Sequence, residues 1–479
     1  MRWTVEQVAR ALAVPAPGGL DPLARLAGVS IDSRTLRAGE LFVAIHGPRH
    51  DGHDFVAPAL AAGALAAVVA GERLGQFPEE IRGRCFAVGD TLAALQRLAQ
   101  AVRREWGRGG GRLGAVTGSV GKTTTKEILA ALVAARFRVL KSAGNLNNEY
   151  GLPLTLAALE EEHTAAVVEL GMSRRGELSR LAAIAEPEVG LVTNVAPVHL
   201  EFFASVDEIA LAKRELVEGL AGKDSVAVLN ADDARVARFA EVAPGRVVTF
   251  GVEQPADFRA ERIEERGAEG AAFDFVWPGG RARLELPLVG RHNVRNALAA
   301  LAAASVWGVT AEDARRVFPA LAPAKLRGEV LRFEEGFAVL NDCYNSSPVA
   351  LAAMVDLLAA TPGYRRRVLV AGEMLELGPA AAELHREAGR HAARRGADWV
   401  IGVQGLAAEI VRGAVEAGLA ERRTLFFESS EEAARFLAGF VARGDLLLVK
   451  GSRGVKMERI VELLAEKHGA ATAGKGGRG

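Results

Sequence analysis

Cysteine is almost missing from this chain: Cys85 and Cys343 are the two among 479 residues. A disulfide framework or a cysteine-ligated zinc site is excluded, and both thiols read as reduced. Net charge is missing as well, with 59 basic and 59 acidic side chains. No overall field draws the protein to nucleic acid or to an anionic membrane. Long apolar runs are also lacking: the richest, residues 57–70, is interrupted by glycine and too short to cross a bilayer. The opening residues Met1 to Glu6 show no signal-peptide core. These absences predict a cytoplasmic protein with no nucleic-acid partner and no membrane insertion.

What the chain does contain is apolar material in ordinary proportion, 49% hydrophobic against 25% charged. Its length suggests about three domains at roughly 150 residues each. Boundaries are expected at the glycine-rich stretch Gly107 to Gly111, which reads as a flexible joint, and near Ala322-Pro323-Ala324. The predicted segments are 1–107, 112–322 and 325–468, followed by a Gly/Ala/Lys-rich tail, 469–479, expected to be disordered. Short apolar runs are predicted as strands at 113–117, 165–170, 190–195, 225–229 and 246–250, with helical periodicity at 126–135, 208–220 and 296–304. The third segment repeats the alternation with strands at 367–371, 399–403, 424–427 and 446–450. The fold class is therefore α/β, with a mostly parallel central sheet and a Rossmann-like last domain. That last domain has no G-x-G-x-x-G turn, which argues against dinucleotide binding.

The most specific motif is Gly118-Ser119-Val120-Gly121-Lys122-Thr123-Thr124, placed between a predicted strand and a predicted helix. Glycines let the backbone turn its N–H groups onto one anion, and the helix adds its positive end. Lys122 suits β/γ-phosphate oxygens and the Thr123 hydroxyl suits Mg²⁺. Val116 stands where strict Walker A spacing places glycine, and the loop by itself does not choose between ATP and GTP. Glu169 and His199 follow two further predicted strands, on the sheet edge that carries the loop, where a carboxylate and an imidazole could ligate a cation. Asn145 and Asn148 lie in a polar loop and read equally well as turn residues. Asn293 could cap the helix that follows it. Lys213, on periodicity alone, is a solvated lysine of an amphipathic helix.

Ordered along the chain are Asp32-Ser33-Arg34, Asp51-Gly52-His53, the loop 117–124, Asn147-Asn148-Glu149, Glu169-Leu170-Gly171-Met172, Thr193-Asn194, His199-Leu200-Glu201, His292-Asn293, Arg327-Gly328-Glu329, Asp342-Cys343-Tyr344-Asn345, Glu373 to Gly378 and Lys450-Gly451-Ser452-Arg453. With these motifs the chain resembles the Mur ligases, bacterial enzymes that build the peptide of the peptidoglycan precursor. Asp342-Cys343-Tyr344-Asn345 is similar to the branch that adds D-alanyl-D-alanine to UDP-N-acetylmuramoyl-tripeptide. The resemblance implies a three-domain ligase, acting as a monomer, that uses ATP and Mg²⁺ to form an amide through an acyl phosphate. It implies an N-terminal domain holding the UDP substrate, with Ser33, Arg34, Asp51, Gly52 and His53 as candidates. It also implies ATP on residues 118–124, with Asn293 and Asn296 near the adenine and Arg327 and Asp342 closing over the nucleotide. Thr123, Glu169 and His199 are then Mg²⁺ neighbours, and Asn145, Asn148, Tyr344 and Asn345 contact the peptide substrates. Lys213 matches a lysine that is carbamylated in that family, its carbamate serving a second cation. Lys122, Lys213, His199 and Glu169 are the residues expected to carry the chemistry. Two alternatives remain open on the sequence: a related ligase acting on folate or another cell-wall intermediate, and a phosphate-loop switch without ligase activity.

Overall fold

The computed structural model describes residues 3–471, which build three sheets in chain order. The first is small and wholly parallel: Val29–Ser30, Leu41–Val43, Ala66–Ala70 and Cys85–Val88 lie side by side. The second has nine strands. From one edge they run Val139–Lys141, Ala165–Glu169, Arg112–Thr117, Val189–Val192, Val226–Asn230 and Arg246–Gly251, all parallel. Phe258–Glu265 continues them in parallel, and Ala271–Trp277 and Gly280–Leu286 then fold back as an antiparallel meander.

The central strands are fully buried runs such as Ala-Ala-Val-Val-Glu at Ala165–Glu169, as expected where helices cover both faces of a parallel sheet. One face is packed by the helices Lys122–Val133 and Arg291–Ser305. Eleven residues of the latter are buried, mostly alanines that let it lie close to the strands. The meander escaped the sequence reading because its strands carry Arg and Glu on the exposed face, as in Arg-Ala-Glu-Arg-Ile-Glu-Glu within Phe258–Glu265.

The glycine-rich joint is not the loose linker its composition suggested. The helix Thr91–Arg108, capped by the Asp90 carboxylate, runs through Gly107. Its face is tied to the central domain: the Arg103 guanidinium donates to the carbonyls of Ala185 (2.7 Å) and Glu186 (2.8 Å), and Trp106 Nε1 donates to His163 O (2.6 Å). A single apolar core accordingly extends from Trp3 and Leu98 into Leu113, Leu152 and Leu181.

The third sheet has the order Thr424–Phe427, Trp399–Val403, Arg366–Gly372, Asp445–Lys450, Ala338–Asp342, Glu329–Phe333 and Ala470–Ala471. Its first five strands are parallel, and its last two pairings are antiparallel. The tail expected to be disordered thus begins as an edge strand, and its remainder, 472–479, lies outside the described residues. Among the described residues no helix is long and apolar enough to cross a membrane. Both cysteines are buried and unpaired, and burial pushes the Cys85 thiol up to about 11.

Candidate active site

A cleft of about 1210 Å³ lies where the carboxyl ends of the central strands face the third domain, the usual place for a ligand in an open parallel sheet. Strand Arg112–Thr117 delivers the glycine loop to it, and the helix Lys122–Val133 leaves from Gly121. Gly118 (φ 147°) and Gly121 (φ 82°) adopt conformations suited to glycine. A Cβ at Gly118 would come within 1.8 Å of Thr193 Oγ1, and one at Gly121 within 2.3 Å of Asn296 Oδ1. The loop is braced from the neighbouring strand end. Thr193 Oγ1 donates to Val120 O (2.7 Å), Val120 N donates to Asn194 Oδ1 (3.0 Å), and Ser119 Oγ donates to Ala196 O (3.1 Å).

Lys122 folds back over the loop, donating to the carbonyls of Gly118 (2.9 Å) and Ser119 (3.3 Å). Burial lowers its pKa, partly offset by the Glu169 carboxylate. Beside it, Thr123 Oγ1 donates to Glu169 Oε2 (2.7 Å), while Asn147 Nδ2 donates to Glu169 Oε1 (2.7 Å). Glu169 is thus held at both oxygens, its plane set by two neutral donors and a hydroxyl–carboxylate pair ready for a hard cation. Among the described residues no three His, Cys, Asp or Glu side chains converge as a metal cage. A cation here would draw on Thr123, Glu169 and phosphate oxygens.

His199 lines the same cleft but is claimed from across it: its Nδ1 lies 2.5 Å from Glu376 Oε2 of the third domain. Asn293 and Asn296 form a buried amide pair. Asn296 Nδ2 donates to Asn293 Oδ1 and Asn293 Nδ2 to Val289 O, both at 2.9 Å, and Asn296 abuts Gly121. In the polar loop it is Asn147 that reaches Glu169. Asn148 instead accepts from the backbone N–H groups of Tyr150 and Gly151, a turn role, while Asn145 lines the cleft.

The third domain contributes the facing wall. Arg327 stacks on the Tyr344 ring at 3.9 Å. Asp342 pairs with the buried Lys450 at 2.5 Å, and Lys450 also donates to Asn345 O (2.8 Å). His292 lies nearby, pushed down to about 4 by burial against the opposing pull of Asp342. Lys450 and Glu376 sat inside recognised motifs without an assigned role. Lys450 ends a parallel strand at the cleft, which was a usable signal. Nothing in the sequence marked Asp233, whose carboxylate receives Val195 N at 2.7 Å.

Lys213 overturns the periodicity reading. It is 2% exposed on the helix Val206–Glu218. Among the described residues its ammonium has no hydrogen-bond or ion-pair partner. Burial, reinforced by the charge of Lys122, drives its pKa well below the usual lysine value. Such an amine is neutral far more often than a surface lysine, and the neutral form attacks electrophiles.

The N-terminal candidates Ser33, Arg34, Asp51, Gly52 and His53 do not line this cleft. Arg34 forks onto Asp32 (2.9 and 2.7 Å) at the surface. His53 is buried, with Nδ1 2.6 Å from Asp51 Oδ1 and Nε2 accepting from Ala70 N (2.9 Å). That acceptor role fixes the neutral tautomer with the proton on Nδ1.

Three stretches match families of known proteins: residues 25–103 the Mur ligase family catalytic domain, 116–304 the Mur ligase middle domain, and 326–453 the Mur ligase glutamate ligase domain. A UDP-N-acetylmuramoyl-tripeptide--D-alanyl-D-alanine ligase of Bacillus subtilis is 35% identical over 439 residues, covering 92% of this chain and 93% of that protein. A MurF crystal structure from Acinetobacter baumannii superposes with a TM-score of 0.86 at 30% identity, covering 98% of this chain and 99% of the other. The MurF ligase of Thermotoga maritima in complex with ADP gives 0.77 at 28% identity, covering 92% and 97%.

Proposed function

The chain belongs to the Mur ligase family, and from that premise we propose that it joins D-alanyl-D-alanine to UDP-N-acetylmuramoyl-tripeptide at the expense of ATP. The observation that carries this reading is one cleft in which the glycine loop with its Thr123–Glu169–Asn147 set faces Arg327, Tyr344, Asp342 and Lys450.

A carboxylate resists amines because it is anionic and would have to expel oxide. Transfer of the γ-phosphoryl group to that oxygen, with ADP leaving, gives an acyl phosphate. The dipeptide amine then attacks the carbonyl carbon, phosphate leaves and the amine loses a proton. Most of this is positioning and charge neutralisation. Loop N–H groups at residues 118–124 cradle the phosphates. Lys122 exchanges its two carbonyl partners for phosphate oxygens, and Asn293 and Asn296 brace the base-side wall. Arg327 and Asp342 close over the nucleotide, while Asn145, Asn148, Tyr344 and Asn345 border the path of the peptide. Thr123, Glu169 and His199 would hold Mg²⁺, which supplies positive charge to the phosphoryl oxygens. The buried, unpaired Lys213 amine fits carbamylation: it adds to CO₂ with loss of a proton, giving an anion near the same charges. Ser33, Arg34 and the Asp51–Gly52–His53 turn belong to the proposed UDP-binding domain, with His53 supporting the turn. We assign residues 1–107, 112–322 and 325–468 to the three functional units of a cytoplasmic monomer.

The test incubates the purified protein with Mg-ATP, D-alanyl-D-alanine and a UDP-muramoyl-tripeptide carrying either meso-diaminopimelate or lysine. A UDP-muramoyl-pentapeptide with stoichiometric phosphate is the expected product. Phosphate release without pentapeptide would sink the assignment.

A further inference from the structure

The central and third domains touch at two places. At the first, Gly267, in the turn that opens the meander, packs against Thr361 and Pro362, and Gly290 lies near Leu357. At the second, a short segment of the third domain reaches over to the loop that carries His199. Glu376 Oε2 lies 2.5 Å from His199 Nδ1, Glu201 N donates to Glu376 O (3.3 Å), and Gly378 sits so tightly on Leu200 that a Cβ would meet its carbonyl oxygen at 2.9 Å. His199 (φ 55°) and Glu376 (φ 63°) both occupy the left-handed region, disfavoured for residues with side chains. Two such backbones facing one another are held by the contact they make.

We propose that Glu376 is a positioning residue that makes His199 competent as a cation neighbour only when the third domain has closed. The chemistry is that of a carboxylate behind an imidazole. Accepting the Nδ1 proton fixes the tautomer with a lone pair on Nε2 and stops ring rotation. Nε2 has no partner among the described residues, and the residue lines the cleft. In an open arrangement Glu376 leaves with its domain, and the ring is free to rotate and to present either nitrogen. Assembly of the cation site is thereby tied to exclusion of water, which an acyl phosphate requires. This inference rests on the reading of His199 as a cation neighbour given above.

The experiment compares wild type with Glu376→Ala, Glu376→Gln and His199→Ala by two readouts. One is the Mg²⁺ concentration for half-maximal turnover. The other is the distance between spin labels on cysteines placed at the exposed Glu241 and Glu383, measured with Mg²⁺ and a non-hydrolysable ATP analogue. Glu376→Ala should raise the Mg²⁺ requirement about tenfold and broaden the distance distribution towards longer values. Glu376→Gln, which still accepts a hydrogen bond, should recover the distance and part of the Mg²⁺ response. A wild-type Mg²⁺ requirement in Glu376→Ala, with His199→Ala impaired, overturns the proposal but not the cation role. A raised requirement with an unchanged distance distribution overturns the link to closure. If His199→Ala itself keeps the wild-type Mg²⁺ response, the cation reading and the proposal fall together.

Discussion

Thr123 Oγ1 donates to Glu169 Oε2 across 2.7 Å, linking the first turn of the phosphate-loop helix to the end of strand Ala165–Glu169. The second carboxylate oxygen is held by Asn147 at 2.7 Å, so both oxygens of Glu169 are positioned by side chains of the protein itself. Glu169→Gln preserves size and most hydrogen bonding but removes the charge. Turnover at fixed Mg²⁺ should fall about 10²-fold, with partial recovery at high Mg²⁺. The urea midpoint should move by less than about 1 kcal/mol equivalent. Activity indifferent to the substitution would remove Glu169 from the cation site.

Lys122→Ala separates chemistry from folding. The ammonium makes two hydrogen bonds, both to backbone carbonyls of its own loop, so its loss should leave the fold intact. Phosphate release should drop by about 10³-fold, the scale of removing one preorganised positive donor. Near-normal release would return the lysine to a purely structural role.

Gly121→Ala tests the loop backbone itself. The added carbon meets Asn296 Oδ1 at 2.3 Å, and the residue must hold φ 82°. Stability should fall by about 1–3 kcal/mol, and ADP binding measured by calorimetry should weaken at least about tenfold. The double variant Gly121→Ala/Asn296→Ala relieves the clash but not the dihedral, so it should recover part of the stability and little of the binding.

The line between what could and could not be read in advance is physical. Strands buried on both faces betray themselves as apolar runs, so Ala165–Glu169 and Trp399–Val403 stand within a residue of their expected bounds. The glycine loop between strand and helix was equally plain, because its backbone demands a residue type. Burial imposed by distant elements leaves no such trace. Lys213 lies one turn from the buried Ile209 and Leu216, but a lysine reads as solvated by its type, and only packing of the whole helix encloses it. The 107–111 stretch looked loose because glycine is flexible in isolation. Trp106 and Arg103, three residues apart in the preceding turns, hold it through partners more than fifty residues away. The Glu376–His199 contact joins residues 177 apart in sequence, and no local pattern predicts it.

Lys213 should also leave a signature in stability against pH. Its folded pKa is well below the unfolded value of ~10.4 because burial, and then Lys122, disfavour the ammonium. Between those values the unfolded chain holds a proton that the folded chain lacks, so this group's contribution to stability rises with pH. In CO₂-free buffer, Lys213→Met should be more stable than wild type near neutrality, the difference shrinking as pH approaches ~10.4. Added bicarbonate should raise the urea midpoint of the wild type alone. A difference independent of both pH and bicarbonate would mean that the amine is not neutral in the fold.

Arg103 decides whether the first two domains behave as one body. It is 5% exposed, donates to the Ala185 and Glu186 carbonyls and lies 3.3 Å from the Glu188 carboxylate. Burial lowers its pKa, with Glu188 and Glu186 pulling the other way. Arg103→Ala would leave two carbonyls without their donor and the half-buried Glu188 carboxylate with Leu113 N in place of an ion pair, a loss of about 2–4 kcal/mol. Because Leu98 and Val102 on the same helix share a core with Leu181 and Ala182, the damage should lower one common unfolding transition. Separate transitions for the N-terminal and central domains in the wild type would instead restore a loose joint. In the variant, Glu188→Gln should recover part of the loss by removing the unpaired charge, and a double-mutant cycle measures that coupling.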